Sequence, residues 1–337
     1  MKNFLITGSA GFIGYHLTIK LLKSGNKVFG IDNLNDYYDQ SLKLSRLKEI
    51  EDYVKQESLT NSYDFKKVDL ADEIALSELF TDNNFDVVIN LAAQAGVRYS
   101  IDNPKAYLDS NLIGFFNILE CCRHNGIKHL VFASSSSVYG VNKQQPFSTS
   151  HITDSPISLY AATKKSNELL AHSYSHLYNI PMTGLRFFTV YGPFGRPDMA
   201  YYKFTKLIAN GRPIDVFNNG KMKRDFTYID DIVEGIFRIT ESALPTTKSQ
   251  FSSGKAPFEV FNIGNNQPVS LDYFISIIEE LLNIKAELNY MPMQAGDVPI
   301  TYADIEPLEQ KCGFKPSTSI ENGMERFIKW YLEYNKK

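Results

Sequence analysis

Three short runs of this 337-residue chain carry the residue types needed to move a proton and to hold a dinucleotide. Tyr160-Ala161-Ala162-Thr163-Lys164 sets a phenol and an ammonium at i and i+4, on one face of a helix. An ammonium there favours tyrosinate and lowers the phenol's pKa toward operating pH. The run Ser134-Ser135-Ser136-Ser137 offers a hydroxyl to hold the oxygen that gives up its proton. At the other end of the same unit, Thr7-Gly8-Ser9-Ala10-Gly11-Phe12-Ile13-Gly14 spaces Gly8, Gly11 and Gly14 as GxxGxxG. Glycine at that spacing permits a tight turn, close approach of backbone to a pyrophosphate, and close helix packing. Tyrosine-lysine pairs and serine runs are common on solvated helices and turns. Joined to a dinucleotide turn, they predict redox chemistry on a sugar-like hydroxyl.

These groups need a scaffold that brings strand ends together. Phe4-Leu5-Ile6 reads as a short buried strand ending at the glycine turn, followed by an amphipathic helix to about Ser24. Further strands are expected at 27–31, 86–91, 129–133 and 182–187, with helices over 104–125 and 160–178. Apolar strands alternating with helices indicate an α/β chain built on a doubly wound parallel sheet of Rossmann type. After Tyr191-Gly192-Pro193 the pattern becomes irregular and richer in Gly, Pro and Asn. Residues 1–187, with a return around 226–262, are expected to form the dinucleotide-binding domain. Residues 188–225 and 263–337 are expected to form a smaller mixed α/β C-terminal substrate lobe. Residues 230–240 read as the returning helix and 248–257 as a polar loop.

Asp32 closes the second strand, where a carboxylate can accept both hydroxyls of an adenosine ribose and would repel a 2′-phosphate; this favours NAD over NADP. Asp69 reads equally as an adenine contact or a loop cap. Hydrophobic content of 43% and charged content of 22% suit an ordinary soluble domain. A net charge of -3 gives no electrostatic reason to expect nucleic acid. Three cysteines without a CxxC fit a reducing compartment. With neither a signal-peptide pattern nor a membrane-length apolar run, the reading is cytoplasmic, with no membrane partner. His172 and His176 stand at i and i+4, but no third ligand is visible and no metal is expected.

TGSAGFIG, YAATK, the segment around Asn111 and Arg224-Asp225-Phe226 resemble the extended short-chain dehydrogenase/reductase family over nearly the whole chain. Within it, the stretches 30–39, 92–100, 186–193 and 195–200 resemble nucleotide-sugar 4-epimerases acting on UDP-glucuronate. The resemblance implies Tyr160 as base, Lys164 as its electrostatic partner and nicotinamide-ribose ligand, and Ser135 as the third member. It implies NAD contacts from Gly8, Gly11, Phe12, Ile13, Gly14, Asp32, Asn33, Asp36, Asp69 and Leu70. Further contacts are implied from Leu91, Ala92, Ala93, Gln94, Asn111 and Phe187.

For a UDP-sugar the implied contacts are Arg98, Ser135, Ser136, Ser137, Thr189, Arg196, Val216, Arg224 and Asp297. Relatives that remove water resemble an Asp-Glu pair where Ser136 and Ser137 stand, and decarboxylating relatives a Ser-Glu pattern. Two serines therefore argue for return of the hydride to the same carbon. Thr189, with Arg196 close behind, suggests a pocket for a C6 carboxylate, since a guanidinium matches a carboxylate in two-point contact. The competing reading pairs Arg196 with Asp198 on the surface. Gln294 stands where the family often has an arginine, so Lys206 or Arg98 is expected to compensate at the diphosphate. Thr301 falls near a position that gates N-acetyl sugars. The expected activity is 4-epimerisation of UDP-glucuronate to UDP-galacturonate. The rivals are epimerases of UDP-glucose/galactose or UDP-N-acetylhexosamines, a UDP-glucuronate decarboxylase, and a non-catalytic NAD-binding protein. A homodimer through 104–125 and 160–178 is the family's usual assembly, with Ile113, Phe116, Leu119 and Leu169 as contributors.

Overall fold

Strands buried on both faces form the centre of the molecule, which the computed structural model describes over residues 1–252, 254–294 and 297–336. In chain order the first strands are β1 (Asn3–Thr7), β2 (Lys27–Asp32), β3 (Tyr63–Lys67), β4 (Val87–Asn90), β5 (His129–Ser135) and β6 (Met182–Phe187). Then come β7 (Thr189–Tyr191), β8 (Ile214–Phe217), β9 (Lys223–Tyr228), β10 (Phe258–Ile263), β11 (Pro268–Ser270) and β12 (Leu288–Met291). Seven of them make a sheet of order β10-β6-β5-β4-β1-β2-β3, parallel at every pairing. Alternate residues of one strand feed opposite faces: Phe4 and Ile6 pack into one apolar cluster, Leu5 into another. The first crossovers are α1 (Phe12–Lys23), α2 (Gln40–Gln56) and α3 (Glu73–Asp82).

The strand order reverses between β1 and β4, and a crevice opens there at the carboxyl ends of the strands. Thr7 donates to Asn90 across that point at 2.6 Å and accepts from the Ala92 N–H at 3.1 Å. The chain leaves the sheet after β6 to lay down β7, β8 and β9, comes back as β10 beside β6, and then leaves again so that β11 and β12 complete the small sheets β11-β9-β7 and β12-β8. The helix Ile229–Glu241 packs on α1 during that return.

The expected helix over 104–125 is broken. Pro104–Tyr107 passes into a π-helical turn, Leu108–Ile113, before the regular helix Gly114–His124. Asn111 is the cause. Its carboxamide accepts the Gln94 N–H at 2.8 Å and donates to the Gln94 carbonyl and the Thr163 hydroxyl, each at 3.0 Å. Those bonds draw the turn toward the β4 loop and widen the helix locally. Ile113, Phe116 and Leu169 are 49%, 45% and 59% exposed, whereas Leu119 is fully buried and belongs to the core.

Candidate active site

A cleft of about 830 Å³ runs from the glycine turn across the strand ends into the small sheets. Every expected cofactor contact lines it except Asp36, which is exposed, and Asn111, whose bonds instead shape the wall through Gln94. Every expected sugar contact lines it except Val216, which is fully buried in the core.

At the dinucleotide end the turn is as tight as its glycines allow. Gly8 has φ +72°, and a Cβ there would come within 2.9 Å of the Ala92 nitrogen; only glycine fits both conditions. The N-terminus of α1 faces the cleft with no side-chain cap, leaving backbone N–H groups for an anion. Asp32 lies at the end of β2, with Lys43 at 3.2 Å from its carboxylate. For Asp69 the loop-cap reading is borne out. It caps its own loop through Ala71 N–H at 2.9 Å, and it lines the cleft while accepting from Asn33 at 2.9 Å. An uncapped helix start, a glycine cradle and a carboxylate at the end of the second strand fit a dinucleotide.

The proton-handling groups come from two elements. Ser135 ends β5 and accepts the Ser137 N–H at 3.1 Å. The helix Leu159–Tyr178, capped by Ser158 on Ala161 N–H, carries Tyr160 and Lys164 one turn apart. The Lys164 ammonium is buried, donates to the Ala133 carbonyl at 2.9 Å, and stands 6.0 Å from the centre of the Tyr160 ring. Burial pushes Lys164 down to about 8, which leaves it mostly protonated at neutral pH. Burial raises the Tyr160 phenol; a Ser135 hydrogen bond and the Arg196 charge pull it down, and Asp198 pushes it up. The net direction is upward: burial outweighs Ser135 and Arg196, and the lowering expected from Lys164 is not found. The ring of Tyr107 meets Tyr160 edge-on at 6.1 Å.

At the sugar end Arg196 is clamped in two-point contact by Asp198, Nε to Oδ1 at 3.1 Å and Nη2 to Oδ2 at 2.5 Å. The pairing with Asp198 therefore exists, but inside the cleft wall and not on the surface. Tyr37 donates to the same carboxylate at 3.1 Å. Farther along, Arg98 pairs with Asp297 at 3.2 Å and lies over the Phe217 ring. Gly296, the residue before Asp297, is outside the described residues. Arg224 donates to the Pro299 carbonyl at 3.2 Å, and Thr301 accepts the Asp225 N–H at 3.2 Å. Arg98 and Arg224 thus line the same cleft, near enough that the charge of Arg98 acts on Arg224. Lys206 is exposed and does not line the cleft, while Lys203 does.

Sequence reasoning missed Tyr37, Lys43 and Arg46. The signal for the last two was present: Lys43 and Arg46 fall among Leu42, Leu47, Ile50 and Val54, the buried face of α2. Basic residues on an apolar helix face need partners elsewhere. His172 and His176 stack at 6.5 Å, and no group of three or more His, Cys, Asp or Glu side chains among the described residues could hold a metal. No helix among them is long and apolar enough to cross a membrane.

The model of the NAD dependent epimerase/dehydratase family matches residues 4–264. Protein CapI of Staphylococcus aureus is 56% identical, over 99% of both chains. UDP-glucuronate 4-epimerase 2 of Arabidopsis thaliana is 48% identical, over 99% of this chain and 76% of that protein. A Bacillus cereus UDP-glucuronic acid 4-epimerase, solved with UDP-glucuronic acid and NAD, superposes with a TM-score of 0.87 at 33% identity. It covers 98% of this chain, which in turn covers 99% of it. With its glycine turn, switch-point crevice and Ser-Tyr-Lys group in place, the chain belongs to the NAD dependent epimerase/dehydratase family.

Proposed function

We propose that this chain interconverts UDP-glucuronate and UDP-galacturonate by epimerisation at C4, keeping its NAD bound throughout. The observation that carries the reading is Arg196 and Thr189 lining one cleft with Ser135, Tyr160 and Lys164. Similarity to named UDP-glucuronate 4-epimerases supports it. Bound NAD supplies an acceptor that takes hydride from C4 and gives it back.

Tyr160 takes the proton of the 4-hydroxyl and later returns it to the same oxygen. Ser135 orients that oxygen, and Lys164, fixed on Ala133, keeps a positive charge one helical turn away. Ser136 and Ser137 bring no carboxyl group with which to expel water. The ketone formed from a uronate is a β-keto acid. Its escape breaks the C5–C6 bond, releases carbon dioxide and leaves an electron pair on C5 that takes up a proton. Arg196, Thr189 and Ser137 hold the carboxylate so that this bond lies away from overlap with the ketone. Asp198 occupies Nε and Nη2 of Arg196, leaving Nη1 outside that pair for the substrate.

The same reading takes 1–187 with a return around 226–262 as the NAD domain, and the remainder as the UDP-sugar lobe. It takes the exposed Ile113, Phe116 and Leu169 as a homodimer face in a cytoplasmic enzyme supplying polysaccharide precursors. The test is incubation with UDP-glucuronate and no added NAD, read by anion exchange and proton NMR. UDP-galacturonate without pentose is expected; a UDP-pentose as the main product would make the chain a decarboxylase. Tyr160→Phe should lower turnover roughly a thousandfold while NAD content is unchanged.

A further inference from the structure

Arg46, in the middle of α2, is fully buried, and its five hydrogen bonds all end on neutral oxygens. Nη1 reaches the Ala10 carbonyl at 2.9 Å and the Tyr38 hydroxyl at 2.6 Å. Nε and Nη2 reach the Phe194 carbonyl at 3.1 and 2.6 Å, and Nη2 also reaches Gly195 at 3.4 Å. No carboxylate among the described residues forms an ion pair with it. A buried guanidinium without a counter-charge is expensive, and a methionine would fill the same space at lower cost.

The two segments it joins are the ones that hold the two ligands. Ala10 belongs to the dinucleotide turn. Phe194 and Gly195 lead directly into Arg196. Phe194 is held at φ +56°, a left-handed conformation that an aromatic residue adopts only when its surroundings impose it. What imposes it is visible. Arg46 grips the Phe194 carbonyl, and His16 on α1 bonds the Pro193 carbonyl at 2.9 Å. Tyr201 accepts the Arg196 N–H at 3.2 Å. Tyr37, next to Tyr38, donates to Asp198, which clamps the Arg196 side chain.

We propose that Arg46 is a positioning residue that fastens the strained 192–196 turn to the dinucleotide turn and thereby aims Arg196 at the substrate carboxylate. The proposal rests on the uronate reading given above. It makes the backbone of the substrate turn depend on the same guanidinium that braces the dinucleotide turn.

The test compares wild type, Arg46→Lys and Arg46→Met by two measurements. The first is KM, kcat and the ratio of UDP-pentose to UDP-galacturonate formed from UDP-glucuronate. The second is amide hydrogen exchange over 192–198, with NAD content measured alongside. A lysine keeps the charge but loses the fork that spans Ala10 and Phe194. Arg46→Lys is expected to raise KM on the order of tenfold, with a smaller change in kcat, and to raise the pentose ratio severalfold. Exchange over 192–198 should quicken while the catalytic helix keeps its protection. Unchanged exchange there, or unchanged KM and product ratio in Arg46→Lys, overturns the proposal. If Arg46→Met fails to fold, Arg46→Lys decides. If wild type itself makes no UDP-galacturonate, the uronate reading has failed, and exchange over 192–198 still decides whether Arg46 holds the turn.

Discussion

Beneath the catalytic strand and beneath the substrate turn the chain buries an arginine, and it satisfies the two in opposite ways. Arg186 on β6 meets Glu168 with Nε at 2.8 Å and Nη2 at 2.9 Å, both side chains 4% exposed. Ser134 donates to the same carboxylate at 2.7 Å, so the pair fixes the strand end that presents Ser135. Arg46 has no such partner. A pair that neutralises itself can be exchanged for apolar side chains with little loss, but one partner cannot be removed alone. A cation left on neutral oxygens keeps its field in the surroundings, here beside the turn built to receive an anionic diphosphate. The compensated arginine ties strand to helix, and the uncompensated one ties together two turns that border the cleft.

The largest effect expected from this contrast is on stability. Burial opposes charge on Glu168, yet Arg186 and Ser134 hold its carboxyl below the ordinary value. Glu168→Gln strands Arg186 and should cost about 3–5 kcal/mol in chemical denaturation. Glu168→Leu combined with Arg186→Met should cost far less than the sum of the two single changes. Simple additivity would remove the pair from one side of the comparison.

A smaller effect is set by pH. Burial pushes His16, which holds the Pro193 carbonyl, down to about 4. A base with a depressed folded pKa is neutral in the native state and must be neutral for the fold to keep its full stability. His16 therefore costs nothing above about 6.5 and withdraws stability as the pH falls from there toward 4, at most about 3 kcal/mol. His129, the first residue of β5, is pushed by burial down to about 3 and acts in the same direction at the end of that strand away from Ser135. His16→Gln should flatten the pH dependence of stability between 6.5 and 4, and acid-induced exchange should begin at 192–196. An unaltered profile would mean that His129 and the carboxylates account for all of it.

These distinctions separate what the sequence shows from what only the fold shows. Strands such as 4–6 and 129–133 are legible because a strand buried on both faces is a short continuous apolar run. The glycine turn and the Tyr160–Lys164 spacing are legible because each is local chemistry at fixed offsets. The π-helical turn at Leu108–Ile113 is not, because it exists through the bonds of Asn111 to Gln94, 17 positions away. Nor is the tie from Arg46 to Phe194, which spans 148 positions. The upward shift of Tyr160 follows the same rule, because burial sets it and burial is a tertiary fact. A helix spacing gives the nearness of Lys164, but the Ala133 carbonyl that holds the ammonium and the arrival of Arg196 are tertiary facts. Partners for buried charge are chosen by packing across the chain, and a pattern read along it finds the charge without its partner.

The smallest effect tests the open side of the comparison most closely. Tyr38→Phe removes one of the neutral oxygens on Arg46 but leaves the ring, 5.5 Å from the guanidinium, and the Ala10 bond on the same nitrogen. A hydrogen bond to a charged group is worth about 1.5–3 kcal/mol, and the remaining bonds should keep the loss near the lower end. If the field of Arg46 reaches the diphosphate, the cost measured by thermal denaturation should be smaller in NAD-loaded protein than in NAD-stripped protein, because the anion takes up part of the charge that Tyr38 releases. The corresponding mild change on the compensated side is Ser134→Ala, which removes one donor to Glu168; it should cost the same with and without NAD. Equal costs for Tyr38→Phe in the two states would mean that Arg46 is as closed to the cofactor as Arg186, and the two arginines would then differ only in the partners that satisfy them.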